Sequence, residues 1–299
     1  MPMPAAPTST PANGRNRGAA PGNASCGSPC TNAARRPAQP LSGVHPIFTS
    51  PLPVSVRLFP LSCAIAMASI ASPAAAQNAI AVEGGFSTDY RVRGLSWSDG
   101  KAAAQVHVSV PVGTSFDLGA QVTTLRNSPR HGDANVGVDL HAGYTGGSGL
   151  LRWYAMGVAR LFPGSTGENT YVEGQAGANL AYGPAEIGVM TAFAPSQDAI
   201  GGNNFYIQLN AQAGIPGMPV TVFGHVGKTS GSVDDPLKAQ RLRPAGAYTD
   251  WALGADYHLA PLVLSLTYSD TDIAQADLPA GPMADHTGAR LVAGAMVRF

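Results

Sequence analysis

The last ten residues read Arg290-Leu291-Val292-Ala293-Gly294-Ala295-Met296-Val297-Arg298-Phe299. Apolar side chains at every second position, from Leu291 to Phe299, would share one face of an extended strand, because successive side chains of a strand point to opposite sides. Arg290 and Arg298 would lie on the other face. The strand ends on an aromatic residue rather than on a polar tail. We therefore expect it to belong to a sheet and to pair with another strand, for which the first strand is the obvious candidate.

The same period of two recurs along the chain from Gln77 onward. The twelve predicted strands cover residues 80–92, 102–112, 116–123, 135–144, 151–161, 172–180, 185–193, 205–213, 220–227, 250–259, 262–269 and 290–299. Most have about ten residues, the length that a tilted strand needs to cross a bilayer. Connections after even-numbered segments are mostly tight, whereas those after odd-numbered segments are generally longer, above all 228–247 and 270–287.

Charge and aromatic residues favour a strand protein in a membrane. Only 12% of the chain is charged, whereas a soluble surface carries about 25–35% charged residues. Aromatic residues gather near the predicted strand ends, as in the interfacial girdles of membrane barrels. We place Tyr90, Phe193, Phe205, Tyr206, Tyr248, Trp251 and Tyr268 at the long-loop rim, and Phe116, Tyr144, Tyr182, Tyr257 and Phe299 at the short-turn rim.

These patterns predict an all-β fold: a single antiparallel transmembrane β-barrel of about 12 strands, with short periplasmic turns and long extracellular loops. Every backbone polar group must be paired internally in lipid, so the sheet has to close on itself. An even strand number puts both ends of the barrel on the short-turn side. The alternative is a secreted soluble β-protein whose apolar face points inward to a core.

The first part of the chain has a different composition. Residues 1–53 are rich in Pro, Ala, Ser, Asn and Gly, with few large apolar residues, and this predicts a disordered extension. An export signal is normally at the very start of a protein. Our hypothesis is therefore that translation truly begins near Val54 or Val56.

Residues 54–76 have the features of a secretory signal peptide. Arg57 precedes an apolar run too short to span a membrane as a helix, and three alanines end at Ala76, just before Gln77. We expect cleavage between Ala76 and Gln77, which makes residues 77–299 the barrel. All three cysteines lie before this part, so it offers no disulfide, thiol nucleophile or Cys-based zinc site.

Several motifs carry a family resemblance. The opening motif reads Ser87-Thr88-Asp89-Tyr90-Arg91-Val92-Arg93-Gly94-Leu95-Ser96-Trp97-Ser98-Asp99-Gly100-Lys101. It resembles the SDYRFRGISQSDGKPA opening of the TorF-type family of proteobacterial outer-membrane porins. Shorter stretches resemble later family motifs: Phe162-Pro163-Gly164, Tyr171-Val172-Glu173, Thr249-Asp250-Trp251-Ala252-Leu253-Gly254 and Thr267-Tyr268-Ser269-Asp270-Thr271-Asp272. The ending on Phe299 also resembles the C-terminal signature of bacterial outer-membrane barrels. The resemblance implies a barrel in the outer membrane of a Gram-negative cell.

The densest polar cluster surrounds the first long loop. The candidates for pore-lining or constriction residues are Asp89, Arg91, Arg93, Asp99 and Lys101, together with Glu173 and Asp250 on the polar faces of later strands. In one interpretation, opposed charges form a constriction whose transverse field orients a passing solute. In the other, the charges pair with one another and fill a narrow lumen. A twelve-stranded barrel is wide enough for a small pore or for a plug.

The predicted function is passive diffusion of small hydrophilic solutes through a porin-like channel, without enzymatic activity. One alternative is a structural or adhesive barrel that acts through the loops 228–247 and 270–287. Another is an outer-membrane lipid hydrolase, which needs neighbouring serine and histidine side chains near the outer rim. Ser87 and His107 lie on adjacent predicted strands and are the pair to check.

We expect no metal and no cofactor. His107, His141, His225 and His258 fall on separate strands, without the spacing of a metal site. The expected partners are outer-membrane lipid and lipopolysaccharide, periplasmic chaperones and the barrel assembly machinery, which would recognise Phe299. No nucleic acid is expected.

Overall fold

The computed structural model describes residues 80–281, 283 and 285–299. The predicted extension, signal peptide and cleavage site at Ala76 and Gln77 lie outside the described residues. Within them, twelve strands form one closed antiparallel barrel in which neighbours in sequence are neighbours in the sheet. The predicted fold class and strand number are thus confirmed.

The barrel strands are β1 (Ala81–Ser87), β4 (Ala103–Val112), β5 (Phe116–Ser128), β6 (Ala134–Ser148), β7 (Leu151–Leu161), β8 (Tyr171–Tyr182), β9 (Ala185–Gln197), β10 (Gly202–Gly214), β11 (Val220–Ser230), β12 (Tyr248–Leu259), β13 (Leu262–Thr271) and β14 (Arg290–Arg298). Two-residue strands β2 (Arg91–Val92) and β3 (Leu95–Ser96) form a separate hairpin. The loops contain 3-10 turns at Pro129–His131, Asp198–Ile200 and Gln275–Asp277, and a helical turn α1 (Pro236–Ala239). No helix among these residues is long and apolar enough to cross a membrane.

The last strand closes the barrel against the first, as its alternation predicted. β1 and β14 pair in antiparallel register, with Phe86 opposite Ala295 and Glu83 opposite Arg298. The side chains of the second pair also form an ion pair, with Arg298 Nε 2.9 Å from Glu83 Oε1. Phe299 then donates its backbone N–H to the carbonyl of Val82, so the terminal residue is bonded to the sheet.

The apolar face of the strands points outward and the polar face lines the lumen. Leu209, Leu253 and Leu291 are 60%, 67% and 60% exposed on the outer wall. On the same strands, Gln208 and Asp250 are buried inside. A soluble barrel would show the opposite arrangement, because its apolar side chains would fill the interior.

Residues 80–92 were predicted to form one strand, and this is wrong after Ser87. The Ser87 hydroxyl donates to the carbonyl of Asp89, and the Asp89 N–H donates back to the Ser87 oxygen at 3.2 Å. Such a local side-chain turn competes with strand pairing and redirects the backbone. The chain therefore leaves the wall at Ser87 and turns into the lumen.

Three tyrosines assigned to the long-loop girdle are buried instead. Tyr206 and Tyr248 face the lumen, because each alternates with an outward or rim residue of its strand, and Tyr90 follows the end of β1. These tyrosines lie close to strand ends, which suggested a place in the rim. The face to which a side chain points depends instead on whether its position in the strand is an inward or an outward one. The other girdle residues are exposed on the outer wall, among them Phe193 and Trp251 at one rim and Phe116 and Tyr257 at the other.

Candidate functional site in the barrel lumen

Residues 88–102, between β1 and β4, form what we call the plug hairpin. Its short strands pair Arg91 with Ser96 and Val92 with Leu95. At the tip, Arg93 and Gly94 both have positive φ, of 51° and 76°, as a two-residue type I′ turn requires. The hairpin is packed inside the barrel, because the side chains of residues 89–91 and 95–98 are buried and contact lumen-facing residues of several strands, as the following contacts show.

Asp89 organises the base of the plug hairpin. Its carboxylate is completely buried and accepts hydrogen bonds from the hydroxyls of Ser96, at 2.5 Å, and Ser98, at 3.2 Å. Arg91 completes the arrangement with an ion pair to Asp89 at 3.3 Å and a hydrogen bond to the carbonyl of Gly288 at 2.7 Å. The two charges therefore compensate each other and hold the loop in shape.

Arg93 reaches from the hairpin tip to the wall at β8. Its Nη2 lies 3.0 Å and 2.9 Å from the two carboxylate oxygens of Glu173, and its guanidinium lies 4.8 Å from the centre of the Tyr206 ring. Glu173 also accepts from Arg160 at 2.9 Å and from Gln175 at 2.6 Å. The tip is thus bound by charge-assisted contacts rather than by an apolar core.

Gly94 fits closely between two strands of the opposite wall. A Cβ at this position would lie 2.5 Å from Thr271 Cγ2 and 2.8 Å from Asp250 Cβ. Asp250 is fully buried beneath the tip, and its Oδ2 lies 2.9 Å from His225 Nε2 and 3.2 Å from the Tyr206 hydroxyl. Its other oxygen, Oδ1, has no hydrogen-bond partner among the described residues.

Above the plug hairpin, the remaining long loops join into what we call the loop lid, residues 129–133, 162–170, 198–201, 231–247, 272–281, 283 and 285–289. Arg130 connects several of them. It donates to the carbonyls of Ser96, Gln240, Arg241, Met283 and Asp285. One buried guanidinium therefore ties the plug hairpin to two separate loops of the lid.

Two more arginines complete the lid. Arg241 donates to the carbonyls of Arg130, Ala199 and Asn169. Arg243 donates to those of Gly231, Asn203 and Ser232. Neither these two nor Arg130 makes an ion pair with a carboxylate of the described chain. Backbone carbonyls compensate these three buried cations, and Arg241 also contacts His131 Nδ1 and lies over the rings of Phe162 and Tyr171.

Burial weakens the charged state of these groups without removing it. Desolvation lowers the pKa of Arg130 and of Arg241 to about 10, so both stay protonated at neutral pH. Burial, with the neighbouring arginines, lowers the pKa of His131 well below its usual value. The neutral His131 ring then stacks on Phe162 with ring centres 4.2 Å apart and contacts Trp97 at 4.3 Å, which packs the hairpin against the lid.

The structure brings five of the seven predicted site residues together inside the barrel. Asp89 and Arg91 form the hairpin base, while Arg93, Glu173 and Asp250 surround its tip. Asp99 and Lys101 lie apart from them and form an ion pair with each other, with Lys101 Nζ 2.6 Å from Asp99 Oδ2. The lysine side chain of this pair is exposed. The sequence left two interpretations of this cluster open, a charged constriction and charges that pair with one another inside the lumen. The ion pairs of Arg91 with Asp89 and of Arg93 with Glu173 correspond to the second.

The sequence interpretation missed the partners that complete the site. Arg160, which bridges Glu173 and Asp139 at 2.9 Å and 2.5 Å, was placed on the polar face of its strand but not in the cluster. The lid arginines lie in loops without any periodic pattern, so no signal in the sequence distinguished them. Tyr206 was assigned to the wrong face.

The candidate hydrolytic pair is not formed. The register places Ser87 opposite Ala103 and His107 opposite Glu83, so the two residues lie four positions, about 13 Å, apart along the strands. Among the described residues, no group of three His, Cys, Asp or Glu side chains could hold a metal ion. His225 and His141 instead contact Asp250 and Asp117, and His258 contacts Thr221.

Comparison with known proteins gives a family. A family model described as "Bacterial protein of unknown function (Gcw_chp)" matches residues 68–291. Among solved structures, the chain is similar to the NanC porin, with 13% identity and a TM-score of 0.49 over 73% of this chain and 98% of that chain. The similarity to the KdgM porin has 7% identity and a TM-score of 0.48, and it covers 74% of this chain and 98% of that chain. The similarity to an outer membrane channel from Pseudomonas putida F1 has 12% identity and a TM-score of 0.47, and it covers 77% of this chain and 100% of that chain. No curated protein matches the chain.

Proposed function

The chain belongs to the Gcw_chp family of bacterial proteins of unknown function, and we propose that it is a porin-like outer-membrane channel for small hydrophilic solutes, closed by the plug hairpin. The outer wall supports the membrane location, because an exposed apolar band with aromatic residues at both rims suits a bilayer and not water. The resemblance of the opening motif to that of the TorF-type porins also supports this proposal. Export through a signal peptide, periplasmic chaperones and the barrel assembly machinery belong to the same proposal.

The observation that carries the channel function is the polar attachment of the plug tip. The body of the hairpin has an apolar side, where Tyr90 and Trp97 pack into one cluster with Phe162, but the tip is held differently. Here the tip is held by the pair between Arg93 and Glu173 in a lumen lined by Gln, Asn, Ser and Thr. Charged and hydrogen-bonded contacts of this kind can be exchanged for water when the hairpin moves, which leaves a hydrophilic passage.

The test compares the mature barrel with a variant in which residues 89–101 of the plug hairpin are replaced by a short Gly-Ser linker. Both are reconstituted into planar bilayers and into liposomes. We expect rare or small conductance steps for the natural chain and frequent, larger steps for the variant, with faster liposome swelling in small sugars. Folding of the variant is checked by its heat-dependent migration in detergent gels.

A structural or adhesive barrel is the second candidate, and the loop lid favours it. Three arginines that join the long loops give a rigid outer surface of the kind that a binding protein presents. In that case the hairpin-deleted variant would stay non-conducting while folded and inserted. Fractionation of cells tests the location separately, since a protein recovered in the soluble fraction would contradict the membrane barrel itself.

A further inference from the structure

Strands β8, β9 and β10 carry a polar patch in the lumen near the short-turn rim. The register aligns Asn179, Gly188 and Asn210 across the three strands, and Glu186 pairs with Gln212 one step closer to the rim. These side chains face inward. Their neighbours Leu180, Ile187 and Leu209 are exposed on the outer wall.

Two amide oxygens of the patch converge on one point. Gly188 has no side chain, and a Cβ placed on it would overlap with both Asn179 Oδ1 and Asn210 Oδ1. The oxygens of two different strands therefore both lie next to one point over this glycine. Carbonyl-type oxygens on neighbouring strands are ligands that a small cation can share.

Glu186 supplies the charge beside these oxygens. Its side chain is more than nine-tenths buried, and within the described chain no hydrogen bond or ion pair to its carboxylate is found. Glu186 is therefore a carboxylate with little exposed surface that has no protein partner among the described residues and faces the hydrophilic lumen, where a cation can reach it.

The closest basic residue in the register does not compensate this charge. Arg152 of β7 pairs with Asn179, but within the described chain it forms no hydrogen bond or ion pair with Glu186, Asn179 or Asn210.

We propose that Asn179, Glu186 and Asn210 form a cation station, a site in the lumen that binds a small inorganic cation or the ammonium group of an organic solute. The proposal rests on the channel function and names its substrate class. The carboxylate gives these three side chains a net negative charge, so anions are repelled and cations are concentrated at this end of the pore.

The first experiment measures ion selectivity in bilayers under a KCl gradient. We expect the natural chain, and the hairpin-deleted variant, to prefer K⁺ over Cl⁻. Glu186→Gln should lower the permeability ratio by about three- to tenfold, whereas Asn179→Asp should raise it. Glu168→Gln is the matched control, because Glu168 lies exposed in the loop lid and its loss should leave the ratio unchanged. An anion preference, or a ratio that Glu186→Gln does not alter, would overturn the station.

The second experiment measures binding without requiring conduction. Tb³⁺ is a luminescent probe for sites built from oxygen atoms, and Tyr154, whose ring packs over Gly177 two residues from Asn179, can sensitise it. We expect Tb³⁺ luminescence that Glu186→Gln removes and Glu168→Gln retains. If Tb³⁺ binds but no conductance is measured, the cation station is supported and the channel function is contradicted. If conductance is measured but Tb³⁺ binding does not depend on Glu186, the channel function is supported and the cation station is contradicted.

Discussion

Replacing Arg93 with alanine should open the pore. Arg93 contacts both oxygens of Glu173 and the face of Tyr206. A hydrogen bond to a charged group contributes roughly 1.5–3 kcal/mol, and a cation–π contact roughly 0.5–1 kcal/mol. We therefore take about 3 kcal/mol as the loss from the closed state. That corresponds to an increase of about 100-fold in the equilibrium constant for release of the hairpin.

The wall itself should survive this change. Glu173 keeps Arg160 and Gln175 as partners, so no buried carboxylate is left without compensation. The measurement is the open probability of single channels in planar bilayers. Lys101→Ala is the control within the same loop: its ion pair with Asp99 is exposed and worth about 0–1 kcal/mol, so its effect should be a few-fold at most.

One outcome would refute this reasoning. If Arg93→Ala inserts and folds normally but opens no more often than Lys101→Ala, then the pair with Glu173 does not hold the hairpin in place. The closed state would then depend on the loop lid alone.

The remaining predictions concern the same structure. Glu173→Gln leaves Arg93 and Arg160 without their shared anion, so thermal unfolding in detergent should show a loss of roughly 3–5 kcal/mol; an unchanged unfolding temperature would contradict the ion-pair network. Gly94→Ala strains a left-handed backbone by roughly 1–2 kcal/mol and collides with Thr271, so channel opening should increase. Gly164→Ala strains a lid glycine of the same φ, 76°, but meets no neighbouring atom, so it should increase opening less. Arg130→Met should make the lid loops more sensitive to added protease. Deletion of Phe299 should reduce outer-membrane insertion before it affects synthesis, as measured by fractionation.

The fold could be predicted because a barrel strand repeats a simple physical rule. Outward residues meet an apolar medium and inward residues meet a polar lumen, so the period of two survives in every strand from β4 to β14. β1 shows the limit of that rule. In the sequence, the alternation continues through Tyr90 and Val92. The hydrogen bonds between Ser87 and Asp89 nevertheless end the strand at Ser87. A local turn of this kind does not change the apolar period, so the period could not predict it.

The site was predicted only in part, for a different reason. Asp89, Arg91 and Arg93 stood out because charged residues are rare in this chain. Their partners did not stand out: Glu173 lies eighty residues from Arg93 in sequence, and either could have paired elsewhere. The lid arginines bind backbone carbonyls, and every residue has a carbonyl. Such contacts depend on the path of the loops, which the amino-acid pattern does not encode.

The way in which the lid arginines are bound implies that lid and plug open together. Arg130 donates at once to Ser96 of the plug hairpin and to Arg241 of the lid, and Arg241 donates back to the carbonyl of Arg130. Removing the hairpin breaks the bond to Ser96, which weakens the position of Arg130 and, through it, that of Arg241. Each buried guanidinium that loses a carbonyl needs water in its place. Water can reach these groups only when the lid separates, so a partly open lid would leave charges without partners, and a concerted opening is the arrangement of lower free energy.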